Sequence, residues 1–258
     1  MHPIEHLRYV ARAKGADPVS LAYETINALR GLRHESAGII LSMRRIVQRH
    51  SSVGKLWWLC SRVVNAPDPF EAMSRCEDEI NDDSTASNLR AAIADGSRVC
   101  VIGWPTTVLN GLASRSDLKF FVVESGGDGD SAVERLQSLG ADATLVHLET
   151  ISASINNSDL VLVEAMAAGP NRASCSAGSH AAAALAVCAK KPVWLVAPCG
   201  TFLPEPLWTA AVDSTEFDVV PRELFSRVVT PAGLHDQVDD AFKPECPLAP
   251  ELLRQSAM

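Results

Sequence analysis

The chain has 258 residues, enough for one large α/β domain or for a small helical unit followed by a compact α/β one. Its formal net charge of −8 argues against a nucleic-acid-binding surface, and its hydrophobic content of 47% is ample for a packed core. The N-terminus has no apolar core of a signal peptide, and no apolar stretch approaches the length of a membrane span. We therefore expect a cytoplasmic protein that binds neither nucleic acid nor a membrane.

The seven cysteines are spread along the chain, and no two of them form a C-x-x-C pair. A zinc site or a disulfide framework normally shows closer, paired spacing. Cys100 and Cys188 lie inside apolar runs, where a cysteine behaves as a small hydrophobic residue. We expect reduced thiols, no metal site and no cofactor.

The first third of the chain predicts helices, because apolar residues recur there at helical spacing. Pro18 and Ser36 suit the first turn and the N-cap of the first two helices. The predicted helices cover 18–32, 36–49, 54–65 and 69–80. Together they form an N-terminal helical domain over 1–82, and the polar run 81–87 is interpreted as a linker or capping loop.

Beyond residue 82, short Val/Ile/Leu runs alternate with helical stretches, which predicts parallel strands buried on both faces. The predicted strands are 99–102, 120–123, 143–146, 159–163 and 193–197. The predicted helices are 85–95, 106–114, 131–139, 150–156 and 178–190. The fold class is therefore α/β, with an N-terminal helical region followed by a Rossmann-like, mostly parallel sheet over 83–258. The end of the chain is interpreted as a proline-rich tail.

In an open parallel sheet, ligands bind beyond the carboxyl ends of the strands. This rule selects segments 103–107, 124–127, 164–166 and 197–201, which directly follow predicted strands. Small and hydroxyl-bearing residues there let backbone N–H groups approach an anion, helped by the start of the next helix. The sequence therefore predicts a cleft for a small phosphorylated ligand.

Two glycine-containing segments could contact such a ligand. Gly126–Asp130 is not a G-x-G-x-x-G motif, and its aspartates would repel a pyrophosphate, so a flexible strand-to-helix turn is favoured. Segment 174–180, SCSAGSH, could cradle a phosphate without a basic side chain, or its serines could cap the following helix. Both interpretations of 174–180 remain open.

Glu164 follows the apolar run LVLV and is the carboxylate best placed for acid/base chemistry. Burial there would raise its pKa and favour a catalytic or hydroxyl-binding role. The alternative is a partly solvated glutamate at the end of a strand. Cys175 and His180 flank the neighbouring loop, but no local pattern marks them as a couple, and a capping histidine is favoured.

Six segments together indicate a family. They are HSSVGKLWWLCSRV (50–63), VCVIGWPTTVLNGL (99–112), FFVVES (120–125), DLVLVEAMAAG (159–169), APCGTF (197–202) and FDVVPRELFSRVVTPAGL (217–234). In this order they resemble the initiation factor 2B α/β/δ-subunit family, whose relatives include methylthioribose-1-phosphate isomerase and ribose-1,5-bisphosphate isomerase. The resemblance spans most of the chain. It implies a homodimer that pairs through the α/β domains and a ligand that is a sugar phosphate or a nucleotide.

The sequence departs from the isomerases of that family at their catalytic residues. Those enzymes pair a cysteine after the first strand with an aspartate in Gly-Ala-Asp. Here 103–107 contains no cysteine, and Met166, whose thioether cannot transfer protons, stands at the aspartate position. The favoured hypothesis is a non-catalytic relative that binds a phosphorylated ligand and acts through assembly. The alternative is an aldose–ketose isomerase that uses Glu164 with Cys175 or His180.

The predicted site combines the strand-end rule with the resemblance. Glu164 is the candidate catalytic residue. The candidate ligand-binding residues are Arg33, Gly103, Trp104, Thr106, Ser125, Met166, Ser176, Gly178, Ser179 and His180. A scaffold without a ligand is expected instead if Trp104 and Met166 fill the cleft.

Overall fold

The computed structural model describes residues 17–32, 36–212, 215–236 and 238–254. Arg33, one of the predicted ligand-binding residues, lies outside these ranges. Within them, no helix combines the length and the apolar character needed to cross a membrane.

Within the described residues, five helices precede the first strand. They are α1 (Pro18–Arg30), α2 (Ser36–Arg49), α3 (Gly54–Asn65), α4 (Pro69–Asn81) and α5 (Thr85–Ala92). The Asp17 side chain accepts a hydrogen bond from Ser20 N, and Asp68 accepts bonds from the first turn of α4, so both helices begin with an N-cap followed by proline. Residues 81–87 are not a loop throughout, because α4 extends to Asn81 and α5 begins at Thr85.

The main sheet is mostly parallel and has the strand order β3-β2-β1-β4-β6-β8-β9. Its strands are β1 (Arg98–Ile102), β2 (Lys119–Val123), β3 (Asp142–Val146), β4 (Leu160–Ala168), β6 (Val193–Val196), β8 (Arg227–Thr230) and β9 (Gly233–His235). Only the pairing of β8 with β9 is antiparallel in this path. The helices between the strands are α6 (Thr106–Leu112), α7 (Gly129–Ser138), α8 (Ile151–Asn157), α9 (Ser179–Cys188) and α10 (Glu205–Ala211). The predicted α/β fold class is confirmed.

Strand β4 continues beyond the parallel sheet, which the sequence interpretation missed. Its second half pairs antiparallel with β5 (Arg172–Ser176), and β5 pairs with β7 (Phe217–Pro221). Glu164 therefore lies inside a strand rather than at its end, and residues 174–176 are a strand rather than part of a loop. These alanines, serines and cysteines have weak strand propensity, so cross-strand pairing determines their conformation.

The end of the chain is also more ordered than a proline-rich tail. It supplies β7, β8 and β9 and two short helices, α11 (Val238–Ala241) and α12 (Pro250–Leu253). Strand β8 adds a sixth parallel strand to the five that were predicted, because it pairs with β6. Prolines at the edges of these short elements obscured the strand pattern without preventing the pairing.

The helical region packs directly on the sheet. Its core around α1, α3 and α4 also takes in Trp208 of α10 and Leu252 of α12. At Gly54, the first residue of α3, a Cβ atom would come within 2.8 Å of Met166 O, so only glycine allows this approach to β4. The sheet and the helical region therefore share an interface, and the domain boundary at 82/83 remains a prediction.

Candidate ligand-binding crevice

Two adjoining cavities lie between the start of α1 and the carboxyl end of the parallel sheet. The outer cavity has a volume of about 560 Å³ and the inner cavity about 180 Å³. Both are lined by Asp17, Pro18, Thr106, Glu164 and Met166, so we treat them as one crevice. The outer volume is within the range of small-molecule sites.

The outer cavity contains most of the predicted ligand-binding residues. Its lining includes Gly103, Trp104, Thr106, Ser125, Met166 and Ser176, together with Glu164. Gly178, Ser179 and His180 line neither cavity: Ser179 is buried in the first turn of α9, and His180 is exposed there. Trp104 is 39% exposed and Met166 is half-buried, so these two side chains do not fill the crevice.

The wall that carries Trp104 is a tight turn after β1. Gly103 has φ +61° and donates its N–H to Val123 O, and a Cβ atom on it would lie 3.1 Å from the Ser125 Cβ. Glycine therefore lets the ends of β1 and β2 meet. Ser125 Oγ donates to Ala177 O, which joins the loop between β5 and α9 to the same edge.

The Glu164 side chain extends from β4 to the start of α6. Its carboxylate accepts hydrogen bonds from Thr107 N at 2.9 and 3.1 Å, from Thr107 Oγ1 at 2.8 Å and from Val108 N at 3.1 Å. Burial raises the pKa of Glu164 to about 7, and the nearby Asp17 carboxylate acts in the same direction, while these hydrogen bonds oppose the rise. Glu164 is thus a buried cap on α6 whose oxygens already have donors.

Two further turns at this edge bind a carboxylate of the chain itself. At the start of α9, Asp218 Oδ2 accepts from Gly178 N and from His180 N, each at 2.9 Å. In the turn before α7, Glu124 Oε1 accepts from Gly127 N at 2.7 Å. The N–H groups that the sequence analysis assigned to a phosphate therefore already bind internal anions at three turns.

Cys175 and His180 are not brought together with Glu164. Cys175 pairs with Ala165 across the β4–β5 ladder, so its side chain is on the opposite face of β4 from Glu164. That thiol is fully buried, and burial raises its pKa well above the usual value, while the Asp218 and Glu164 carboxylates act in the same direction. Glu164 and Cys175 therefore do not share a face of β4 on which they could act as a proton-transfer couple.

The charged side chains that line the crevice are predominantly acidic. Its carboxylates are Asp17, Asp83, Asp128, Glu164 and Glu216, and Lys55 is the one lysine or arginine among the described lining residues. The Oδ1 atom of Asp17 is buried and receives no hydrogen bond from any described residue. This local charge opposes the binding of an anion.

Lys55 belongs to a second group of contacts, which holds loop 197–202 at the inner cavity. It is 4% exposed and donates to Cys199 O, while Cys199 N donates to Asp83 Oδ2 at 2.8 Å. Glu245 Oε2 accepts from Phe202 N at 3.0 Å. The helical region, the turn before α5 and the C-terminal segment thus converge on one loop.

Several lining residues were not anticipated from the sequence. Asp17 was not named, since an aspartate before Pro18 indicates at most a helix cap, and nothing local indicates that α1 begins beside the sheet. Glu216 precedes β7 and Phe217 begins it, in the part of the chain that the sequence analysis interprets as a proline-rich tail. The signal for β7 is present in the sequence, because FDVV at 217–220 is the kind of aromatic and β-branched run that favours a strand.

No protein-family model and no curated protein matches the sequence. Among solved structures, the chain is similar to a translation initiation factor eIF-2B of Pyrococcus horikoshii OT3, with a TM-score of 0.79, 16% identity, and 92% of this chain and 98% of that chain covered. The tetrameric eIF2B-beta2-delta2 complex of C. thermophilum gives a TM-score of 0.72 at 17% identity, covering 93% and 91%. The eIF2B beta structure from Chaetomium thermophilum gives 0.68 at 18% identity, covering 90% and 87%.

This chain has the initiation factor 2B fold. The resemblance inferred from the six ordered segments is confirmed at the level of the fold, over nearly the whole length of both chains. Met166, which stands at the position where the isomerase resemblance implied an aspartate, lines the outer cavity together with Trp104 of the cysteine-free segment 103–107.

Proposed function

We propose that the chain is a non-catalytic, initiation factor 2B-like protein that binds a small ligand in the crevice and acts through assembly. The observation that carries this proposal is the fold itself, which matches eIF2B subunits over more than nine-tenths of the first neighbour's chain. One of the similar structures is a tetrameric complex, which supports a role in assembly. A homodimer and a cytoplasmic location remain predictions.

The absence of a catalytic role is supported by the chemistry around Glu164. Its oxygens accept from the start of α6, Met166 beside it cannot transfer protons, and Cys175 is on the other face of β4. The observation in favour of an isomerase is the pKa of about 7 at Glu164, which suits a general acid or base at neutral pH. Aldose–ketose conversion of a sugar phosphate that Glu164→Gln abolishes would establish this alternative.

The resemblance implies that the ligand is phosphorylated, as a sugar phosphate or a nucleotide. The volume of the outer cavity and the hydroxyl groups of Thr106 and Ser176 support a small hydroxylated ligand. A phosphate group on this ligand is less well supported than its hydroxyl groups. Backbone N–H groups at three turns already donate to carboxylates of the chain, and the charged residues of the described lining are mostly acidic. The phosphorylated and unphosphorylated forms of one sugar should therefore be compared.

The test is a thermal-shift titration with ribose 5-phosphate, AMP and ribose, followed by NMR of the same samples for products. A ligand at about 100 times its Kd should add about 2.7 kcal/mol to the unfolding free energy. Trp104→Ala should reduce the shift, whereas Leu139→Ala, at an equally exposed site outside the crevice, should leave it unchanged. Sedimentation of the same protein measures assembly, and a monomer without any ligand response would contradict the proposal.

A further inference from the structure

We propose that segment 243–249 is a pH-sensitive strap, which Glu245 fastens to loop 197–202 and which loosens when that carboxyl group loses its proton. The strap joins α11 to α12, and its residues Cys246 and Ala249 belong to the core of the helical region. This inference goes beyond the proposed function, because it holds whether or not the crevice binds a ligand.

The strap has little regular structure to hold it in place. Residues 243–249, all of which the structure describes, form neither helix nor strand. Pro244 and Pro247 have no backbone N–H group to donate. Segments with few backbone hydrogen bonds open locally at a lower free energy than the helices and strands around them. The contacts that tie the strap down therefore determine how often it opens.

Glu245 makes a two-sided contact with the loop after β6. Its backbone N–H donates to Phe202 O at 2.9 Å, and its Oε2 atom accepts from Phe202 N at 3.0 Å. The backbone and the side chain of one residue thus fix the first half of the strap to loop 197–202. The second of these hydrogen bonds depends on a group that gains or loses a proton.

Helix α3 holds the other end of the strap. Ser61 Oγ donates to Pro247 O, and Asn65 Nδ2 donates to Leu248 O at 3.3 Å. These two contacts use a hydroxyl, an amide and two carbonyl groups, which do not titrate near neutral pH. A change in pH therefore acts on the end of the strap that carries Glu245.

The Glu245 carboxyl group is partly buried and can still exchange a proton with water. It lines a cavity of about 240 Å³ beside Phe202. The charged or titratable side chains around it are Lys55 of α3, Asp83 of the turn before α5, Cys199 of the loop, His235 of β9, Asp240 of α11 and Lys243 of the strap itself.

The environment of the carboxyl group favours its protonated form in the closed strap. Burial raises the pKa of Glu245 from 4.5 to about 7, while the Phe202 N–H and the Lys55 ammonium group oppose the rise. Burial raises the pKa of the Cys199 and Cys246 thiols to about 12, so these neighbours stay protonated near pH 7.

The direction of the switch follows from the two states of Glu245. When the strap opens, the carboxyl group enters water, and its pKa returns to about 4.5. The closed strap therefore binds the proton more tightly than the open one. It is held most firmly below about pH 4.5, and this hold is lost as the pH rises through 7.

Opening of the strap acts on the crevice through the loop that it fastens. Pro198 and Thr201 of loop 197–202 line the inner cavity, and Phe202 N loses its acceptor when Glu245 leaves. The strap thus connects the pH to one wall of the inner cavity.

The test measures how fast N-ethylmaleimide labels Cys246 in the full chain, with peptide mass spectrometry as the readout. Cys246 is 7% exposed while the strap is closed, and the exposed Cys188 is the internal reference for thiol reactivity at each pH. With pKa values of about 7 and about 4.5 for the closed and open states, the ratio of the Cys246 rate to the Cys188 rate should rise about tenfold from pH 6 to pH 8.

Variants of two carboxyl groups at the same cavity separate the strap from a general effect of pH. Glu245→Gln keeps the shape of the side chain and an acceptor oxygen but does not titrate, so the labelling ratio should become independent of pH. Asp240→Asn is the matched control, because Asp240 is an exposed carboxylate at that cavity, and it should leave the tenfold rise intact. His235→Gln, at the histidine of the same cavity, should leave it intact as well.

A third thiol distinguishes opening of the strap from unfolding of the helical core. Cys60 of α3 is 0% exposed, and we expect its labelling to stay far slower than that of Cys246. Equal rates at Cys60 and Cys246 would overturn the strap, because the core would then open as one unit. A labelling ratio that is flat in the unaltered protein, or that rises equally in Glu245→Gln, would overturn it too. These outcomes leave the proposed function untouched, since ligand binding and assembly are measured separately.

Discussion

Two loops at the same edge of the sheet differ in how deeply they are buried and in how many contacts hold them. Loop 197–202 after β6 is buried, held by Lys55, Asp83 and Glu245, and closed against Trp58. Loop 103–107 after β1 is held chiefly by the Glu164 cap and leaves Trp104 exposed to the crevice. The difference indicates that the first loop joins the helical region to the sheet, whereas the second leaves its side chains available to a ligand.

The largest expected difference in stability is between Trp58 of α3, which packs on loop 197–202, and Trp104, which belongs to loop 103–107. Trp58 is 1% exposed and packs on Gly200, so Trp58→Ala should lower the unfolding free energy by about 4 kcal/mol. Trp104→Ala, at 39% exposure, should lower it by less than about 1 kcal/mol. Urea unfolding of both variants measures the contrast, and equal losses would show that loop 103–107 is also part of the packed core.

The backbone of loop 197–202 should be the next most sensitive feature. Gly200 has φ +79°, and a Cβ atom there would lie 3.0 Å from the Trp58 ring, so Gly200→Ala should cost about 3 kcal/mol through strain and overpacking. Gly140 has a similar φ of +86° but no atom within 4 Å of a Cβ. Gly140→Ala should therefore cost only the backbone strain, about 1 kcal/mol. Matching losses in urea unfolding would mean that contact with Trp58 is unimportant.

The carboxyl groups that hold the two loops predict a pH dependence of stability. Burial raises the pKa of Glu164 and of Glu245 from 4.5 to about 7. A pKa that is higher in the folded state stabilises the protein fully below about pH 4.5, and this contribution is lost as pH rises through 7.

We expect the unfolding free energy to fall between pH 5 and pH 8 by roughly 2 kcal/mol for each carboxyl. Glu164→Gln and Glu245→Gln should each flatten part of the profile when urea unfolding is repeated across that range. Asp117 and Asp159, whose pKa values are lowered by Arg115 and Arg98, act only at more acid pH. A stability that rises from pH 5 to pH 8 would contradict the role of both buried glutamates.

The elements predicted from the sequence agree with the structure where a periodic pattern is long or uniformly apolar. Helices 36–49 and 54–65 have the predicted bounds, and β1 to β3 differ by one residue at most. In these segments, the residues that determine the conformation are neighbours in the chain.

The candidate site was predicted only in part, for a related reason. The rule that ligands bind at the carboxyl ends of parallel strands led to Trp104, Ser125 and Met166, which do line the outer cavity. It could not show that Glu164 caps α6 or that Asp218 caps α9, because each contact joins residues about 40 or more positions apart. These caps decide which N–H groups are available to a ligand.

Local pattern was therefore sufficient for the α/β class, for the order of the main elements and for the edge of the sheet where the crevice lies. Tertiary packing decided the rest: the antiparallel extension of β4 with β5 and β7, the approach of Asp17 and Phe217 to that edge, and the acidic lining of the crevice. The physical reason is that periodicity records which face of a segment is buried. The partner that buries it, and the charges which that partner brings, depend on residues far away in the chain.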